Sequence, residues 1–106
     1  MPRMIFVNLP VADLPKAMAF WRALGFDFNL DYTDDTAACL VLSEVQFAML
    51  LTRPKFEDFA RVPPADPATA REVLVALTCD SRAEVDRLAD AAAANGGAAH
   101  GDPQDH

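Results

Sequence analysis

The chain has 106 residues, a formal net charge of −7 and a sequence pI near 4.5, which bounds it to one acidic domain with a modest core. Nine Lys and Arg against sixteen Asp and Glu argue against a nucleic-acid partner, which needs clustered cations on its phosphates, and against attraction to an anionic membrane. A hydrophobic content of 52% is enough for a packed interior, although much of it is alanine, which buries little area.

Residues 4–11 are apolar and β-branched and predict a strand, with Pro10 near its end, where a missing ladder donor is tolerated. Asp13 has the side chain of a helix N-cap, and Pro15 suits the first turn, which has no intrahelical donor to lose. Leu14, Ala17, Met18, Trp21 and Leu24 follow at helical spacing, so Trp21 is expected to pack, and Gly25 stands where a left-handed cap ends a helix. Residues 26–32 alternate Phe26, Phe28, Leu30 and Tyr32 with Asp27, Asn29 and Asp31, the pattern of a half-buried strand. Asp34 and Asp35 lie in a polar turn. Two further strands are predicted over 37–42 and 45–52, joined tightly through Ser43 and Glu44. The first half therefore reads β-α-β-β-β.

Pro54, Pro63, Pro64 and Pro67 exclude a long regular element from 53–70, which reads as a linker or a covering arm, with room for one helical turn between Lys55 and Ala60. Glu57 and Asp58 on it are expected to face solvent. Residues 71–79 predict a strand, Ser81 and Glu84 form a capping-box pattern, and Val85, Leu88, Ala89 and Ala92 share a helical face before Gly96 and Gly97. The tail, 98–106, is polar and holds the only histidines, His100 and His106, beside Asp102 and Asp105. It reads as a free end or as a small metal or acid–base cluster. Cys39 and Cys79 lie in apolar runs and read as buried free thiols. No signal-peptide pattern and no apolar run of about 20 residues is present, so the expected location is the cytoplasm. P-loop, dinucleotide, nucleophile-elbow and Cys/His zinc patterns are also missing from the sequence.

The two strand–helix segments repeat. Val7-Asn8-Leu9-Pro10-Val11 matches Val75-Ala76-Leu77-Thr78-Cys79 in its apolar positions, and each precedes an N-cap, an amphipathic helix and a glycine stop. The second copy stops after its helix, where three more strands would follow. An early end to the chain, a stretch without order or a degenerate copy would account for that, and the abrupt finish favours the first two. The expected organisation is one α+β domain: a first βαβββ module over 1–52, a linker over 53–70 and a partial second module over 71–106.

The run 7–13, with Ala19-Phe20-Trp21, Leu24-Gly25-Phe26 and the later 75–86 and Gly96-Gly97, resembles the glyoxalase / bleomycin-resistance / extradiol-dioxygenase (vicinal-oxygen-chelate) superfamily, and most of all its uncharacterised bacterial members. The resemblance implies paired βαβββ modules forming a curved, mainly antiparallel open sheet around a cavity, and a homodimer. In metal-dependent members the ligands come from the first and last strands of each module. Carried over, those positions fall on Phe6, near Leu50, and on Leu74, the fourth lying beyond the last helix. Phenyl and isobutyl groups have no lone pair for a metal, and their neighbours Ile5, Val7, Met49, Leu51, Val73 and Val75 are no better.

Phe6, Leu50 and Leu74 thus read either as core or as the apolar floor of a pocket, with Asn8 and Thr78 as its sparse polar groups. Asn8 would hydrogen-bond a ligand carbonyl or a strand neighbour. The expected function is metal-free binding of a small, partly apolar molecule in a dimer cavity, with no cofactor, nucleic acid or membrane partner. The alternatives are a metal-dependent lyase of the lactoylglutathione lyase kind, or a dioxygenase, with non-standard ligands, and a non-catalytic module that pairs through a free sheet edge.

Overall fold

The computed structural model describes residues 2–70 and 73–98. Four strands, β1 (Ile5–Val11), β2 (Asp27–Asn29), β3 (Ala37–Val41) and β4 (Gln46–Thr52), form an open sheet in the order β1-β4-β3-β2. β2, β3 and β4 make an antiparallel meander. β1 pairs in parallel with β4, as a strand must when a helix and two strands intervene and return the chain beside it. This is the βαβββ order expected for the first half. Three helices accompany the sheet: α1 (Leu14–Ala23), α2 (Arg53–Ala60) and α3 (Arg82–Ala94).

α1 begins where its sequence dictates. The Asp13 carboxylate accepts from the Lys16 amide at 3.0 Å, Pro15 occupies the first turn, and Gly25 follows the C-cap at φ +99°. Leu14 of α1 is buried with Phe28, Ala38, Leu40, Ala48 and Leu50 of the sheet, and Leu9, Val11, Ala17, Met18, Trp21, Phe26 and Leu42 pack around them. This is the core, and it lies on the face of the sheet that α1 covers. Trp21 packs as expected, edge-on to both Phe20 and Phe26.

Several expectations need correction. The alternating stretch 26–32 is a strand only over Asp27–Asn29 and then turns as a 3-10 segment over Leu30–Tyr32. Side chains cause the break. The Asn29 carboxamide accepts from the Asp31 amide, and the Thr33 hydroxyl donates to the Asn29 carbonyl while accepting from the Cys39 amide. These bonds replace the ladder that a longer strand would make. The linker carries two turns of helix rather than one. Thr52 caps α2 through its hydroxyl, and Pro54 is tolerated because it sits in the first turn.

The predicted strand over 71–79 is not a strand in its described part, 73–79. Val73, Val75 and Leu77 are exposed, and Leu74 is 90% exposed. Strand propensity is largely a measure of fit to a neighbouring strand, and among the described residues none lies alongside. The repeat survives in its helix: Ser81 accepts from the Glu84 amide at 3.1 Å to start α3, and Gly96 ends it at φ +100°. The predicted tail groups His100, Asp102, Asp105 and His106 lie outside the described residues. So do Arg71 and Glu72.

β1 forms one edge of the sheet. The Ile5 amide donates to the Val45 carbonyl at 2.9 Å, so alternation turns the amides of Val7, Leu9 and Val11 toward β4 as well. The backbone groups of Phe6, Asn8 and Pro10 therefore face outward. Pro10 brings no donor to that edge, and the Asn8 side-chain amide donates to the Phe6 carbonyl at 3.4 Å. No described helix is long and apolar enough to cross a membrane.

Candidate functional site

The face of the sheet away from α1 carries the candidate site. Register builds it in rows across the strands. One row runs Phe6, Phe47, Val41, Asp27, and the next runs Asn8, Met49, Cys39, Asn29. The Phe6 and Phe47 rings stack 4.8 Å apart and within 11° of parallel. Beside them is a shallow cavity of about 220 Å³, lined by Met4, Phe6, Asn29, Tyr32, Cys39 and Phe47. Phe47 and Cys39 are buried beneath it, while Phe6 and Tyr32 stand exposed. The 3-10 turn that interrupts the predicted strand is what swings Tyr32 to this rim.

The structure brings together only two of the five residues proposed from sequence. Phe6 and Asn8 share this face. Leu50 does not: it is 2% exposed and belongs to the core under α1, because its register partner Leu9 also faces that way. Leu74 projects from the irregular segment 73–79. Thr78 lies on a separate depression with Phe26, Leu42 and Glu84. The residues that sequence reasoning missed are Phe47, Met49, Cys39, Asn29 and Tyr32. Strand alternation groups Phe47 with Met49, but only the register shows that this pair, rather than Ala48 and Leu50, stands beside Phe6 and Asn8.

The chemistry of this face is apolar with sparse polar groups. Two carboxamides (Asn8, Asn29), two thioethers (Met4, Met49), one phenol (Tyr32) and one thiol (Cys39) are its described side-chain groups with heteroatoms away from Asp27. Burial pushes the Cys39 thiol above its ordinary pKa, so it is a poor source of thiolate. Zinc, iron and magnesium sites are built from imidazole, carboxylate or thiolate groups, and the positions flanking Phe6 and Asn8 on β4 are Phe47 and Met49. Among the described residues no group of three or more His, Cys, Asp or Glu is placed to hold an ion. Among the described residues, the side chains of this face do not fit a metal centre of that kind.

The βαβββ order and this open sheet recur in known structures. Residues 3–43 match the family model of the bleomycin resistance protein-like N-terminal region. The chain superposes on hypothetical protein SA1046 from S. aureus with a TM-score of 0.73 and 24% identity, covering 91% of this chain and 71% of that one. It also superposes on a glyoxalase/bleomycin resistance protein/dioxygenase family enzyme from Burkholderia phytofirmans PsJN, with a TM-score of 0.62 and 17% identity, covering 90% and 74%. The fold is that of the glyoxalase / bleomycin-resistance proteins. No curated protein matches the chain. The Phe6–Phe47 stack lies on the face of this sheet opposite the core cluster under α1. Identities this low establish the architecture, and the chemistry is read from the residues themselves.

Proposed function

We propose that this protein binds a small, partly apolar molecule on the Phe6–Phe47 face, without a metal ion, in a cavity closed by a second copy of the chain. The carrying observation is the stacked aromatic pair, half open to solvent, flanked by the Asn8 and Asn29 carboxamides. An aromatic or other flat apolar group extends such a stack, and carboxamides supply both a donor and an acceptor for the ligand's polar atoms. The cavity of about 220 Å³ is smaller than the roughly 300–1,000 Å³ of ligand pockets, which favours closure by a partner surface. Sequestration of such a molecule fits the bleomycin-resistance-like match over residues 3–43. The apolar, aromatic make-up of this face is that of a binding surface, so the reading is binding rather than lyase chemistry.

The test is a thermal-shift and native-mass screen of small aromatic metabolites and drugs, with and without EDTA. A ligand at ten times its Kd adds about 1.4 kcal/mol and raises the melting point by roughly 5–10 °C. That rise should survive EDTA, accompany a 2:2 or 2:1 complex, and vanish in Phe47→Ala. Stoichiometric metal retained through purification and required for binding would refute the proposal, as would a dimer whose interface leaves this face uncovered.

A further inference from the structure

A second cavity lies on the other side of the sheet, between α1, the end of β1 and the start of α2. It measures about 310 Å³, and Leu9, Val11, Trp21, Leu50, Arg53 and Pro67 are among its lining residues. Its described walls are mainly hydrocarbon and indole, and among the described residues Arg53 is the charged one that lines them. Arg53 is the first residue of α2 and is half-buried, with no carboxylate partner among the described residues.

We infer that this cavity is a separate binding site for a small apolar carboxylic acid, an arylalkyl or branched-chain acid of about a dozen heavy atoms. The apolar body fills the space beside Trp21, and the carboxylate meets the Arg53 guanidinium in a charge-assisted hydrogen bond. The size supports this class, since about 310 Å³ stands at the small end of ligand pockets. So does the charge. A chain of net charge −7 repels anions in general, so retention of an acid would report a local cation rather than the overall field. The site shares no lining residue with the Phe6–Phe47 face and stands independently of the function proposed for that face.

Trp21 is the only tryptophan, so its fluorescence reports occupancy. The probes are 4-phenylbutyrate and its uncharged isostere 4-phenylbutyramide, titrated into the whole chain, with amide NMR shifts to locate binding. The acid should bind saturably in the millimolar range or tighter, change the Trp21 emission and shift the amides of Leu9, Val11 and Arg53. Arg53→Gln should weaken the acid about tenfold and leave the amide's affinity unchanged, while Arg53→Lys recovers most of the loss. Circular dichroism checks that each variant is folded. Equal affinity for acid and amide in the wild type, or no saturable change in Trp21, would overturn the inference. Shifts confined to Phe6, Cys39 and Phe47 would also overturn it, while supporting the other face as the binding site. Phe47→Ala should leave acid binding intact.

Discussion

Replacing Leu50 by alanine should cost far more stability than the same change at Phe6 or Leu74, although the sequence resemblance implies a ligand position at or near each of the three. Leu50 is 2% exposed and central to the core under α1. Leu→Ala removes three buried carbons at about 0.8 kcal/mol each, or about 2.4 kcal/mol, and the cavity left behind raises this to about 3–4 kcal/mol. Phe6 is 47% exposed, so its truncation loses about 1 kcal/mol of burial and about 0.5–1 kcal/mol of stacking on Phe47. Leu74, 90% exposed, should change stability by less than about 0.5 kcal/mol. Urea unfolding followed by circular dichroism separates these values. With a slope of about 1.5 kcal/mol/M, the midpoint should fall by about 2 M for Leu50→Ala, about 1 M for Phe6→Ala and hardly at all for Leu74→Ala. A loss at Leu74 as large as that at Leu50 would refute the face assignments, because it would require residues 73–79 to be packed as a strand.

Three further outcomes follow from the local chemistry. Iodoacetamide at neutral pH should modify the half-exposed Cys79 before the buried Cys39, and both slowly, because reduced solvation raises each thiol's pKa and a hydrogen bond to Glu84 raises that of Cys79 further; mass spectrometry after timed quenching would show the order. The Thr36 backbone amide, then its hydroxyl, with the Ala37 amide and the charge of Lys55, hold Asp34 below the ordinary carboxylate value. Its contribution is thus complete above the unfolded pKa and lost as pH falls through the folded one, so Asp34→Asn should flatten the acid limb of a stability–pH curve. Gly25→Ala should cost about 1 kcal/mol in urea unfolding, from its positive φ alone, since the nearest atom to the new methyl would be Arg87 Nη1 at 3.9 Å.

The first module was legible because its signals are local. Asp13, Pro15 and Gly25 fix both ends of α1, and the apolar positions of 37–42 and 45–52 can be satisfied within a single hairpin. The stretch 26–32 misled because its alternation is genuine, while the bonds that end the strand come from Asn29 and Thr33, whose partners depend on the turn itself. The segment 71–79 misled for a different reason. Its residues favour a strand, but a strand requires a neighbour that its own sequence does not specify. At the candidate site, alternation correctly grouped Phe6 with Asn8, yet one strand's pattern says nothing about which set on β4 lies beside them. That is a matter of register, and the position implied by the resemblance, near Leu50, lies one residue from the Met49 that stands opposite Asn8.

The outward edge of β1 has a consequence for how this sheet can grow. An incoming strand meets backbone donors at Phe6 and Asn8 and then Pro10, which offers none, while the Phe6 carbonyl is already engaged by the Asn8 side chain. Extension is thereby confined to the N-terminal half of β1, and it requires the Asn8 amide to swing aside first. The edge behaves as a keyed joint: a strand shifted by two residues toward Val11 loses its hydrogen bonds, so indiscriminate stacking of copies is suppressed while one short alignment stays open.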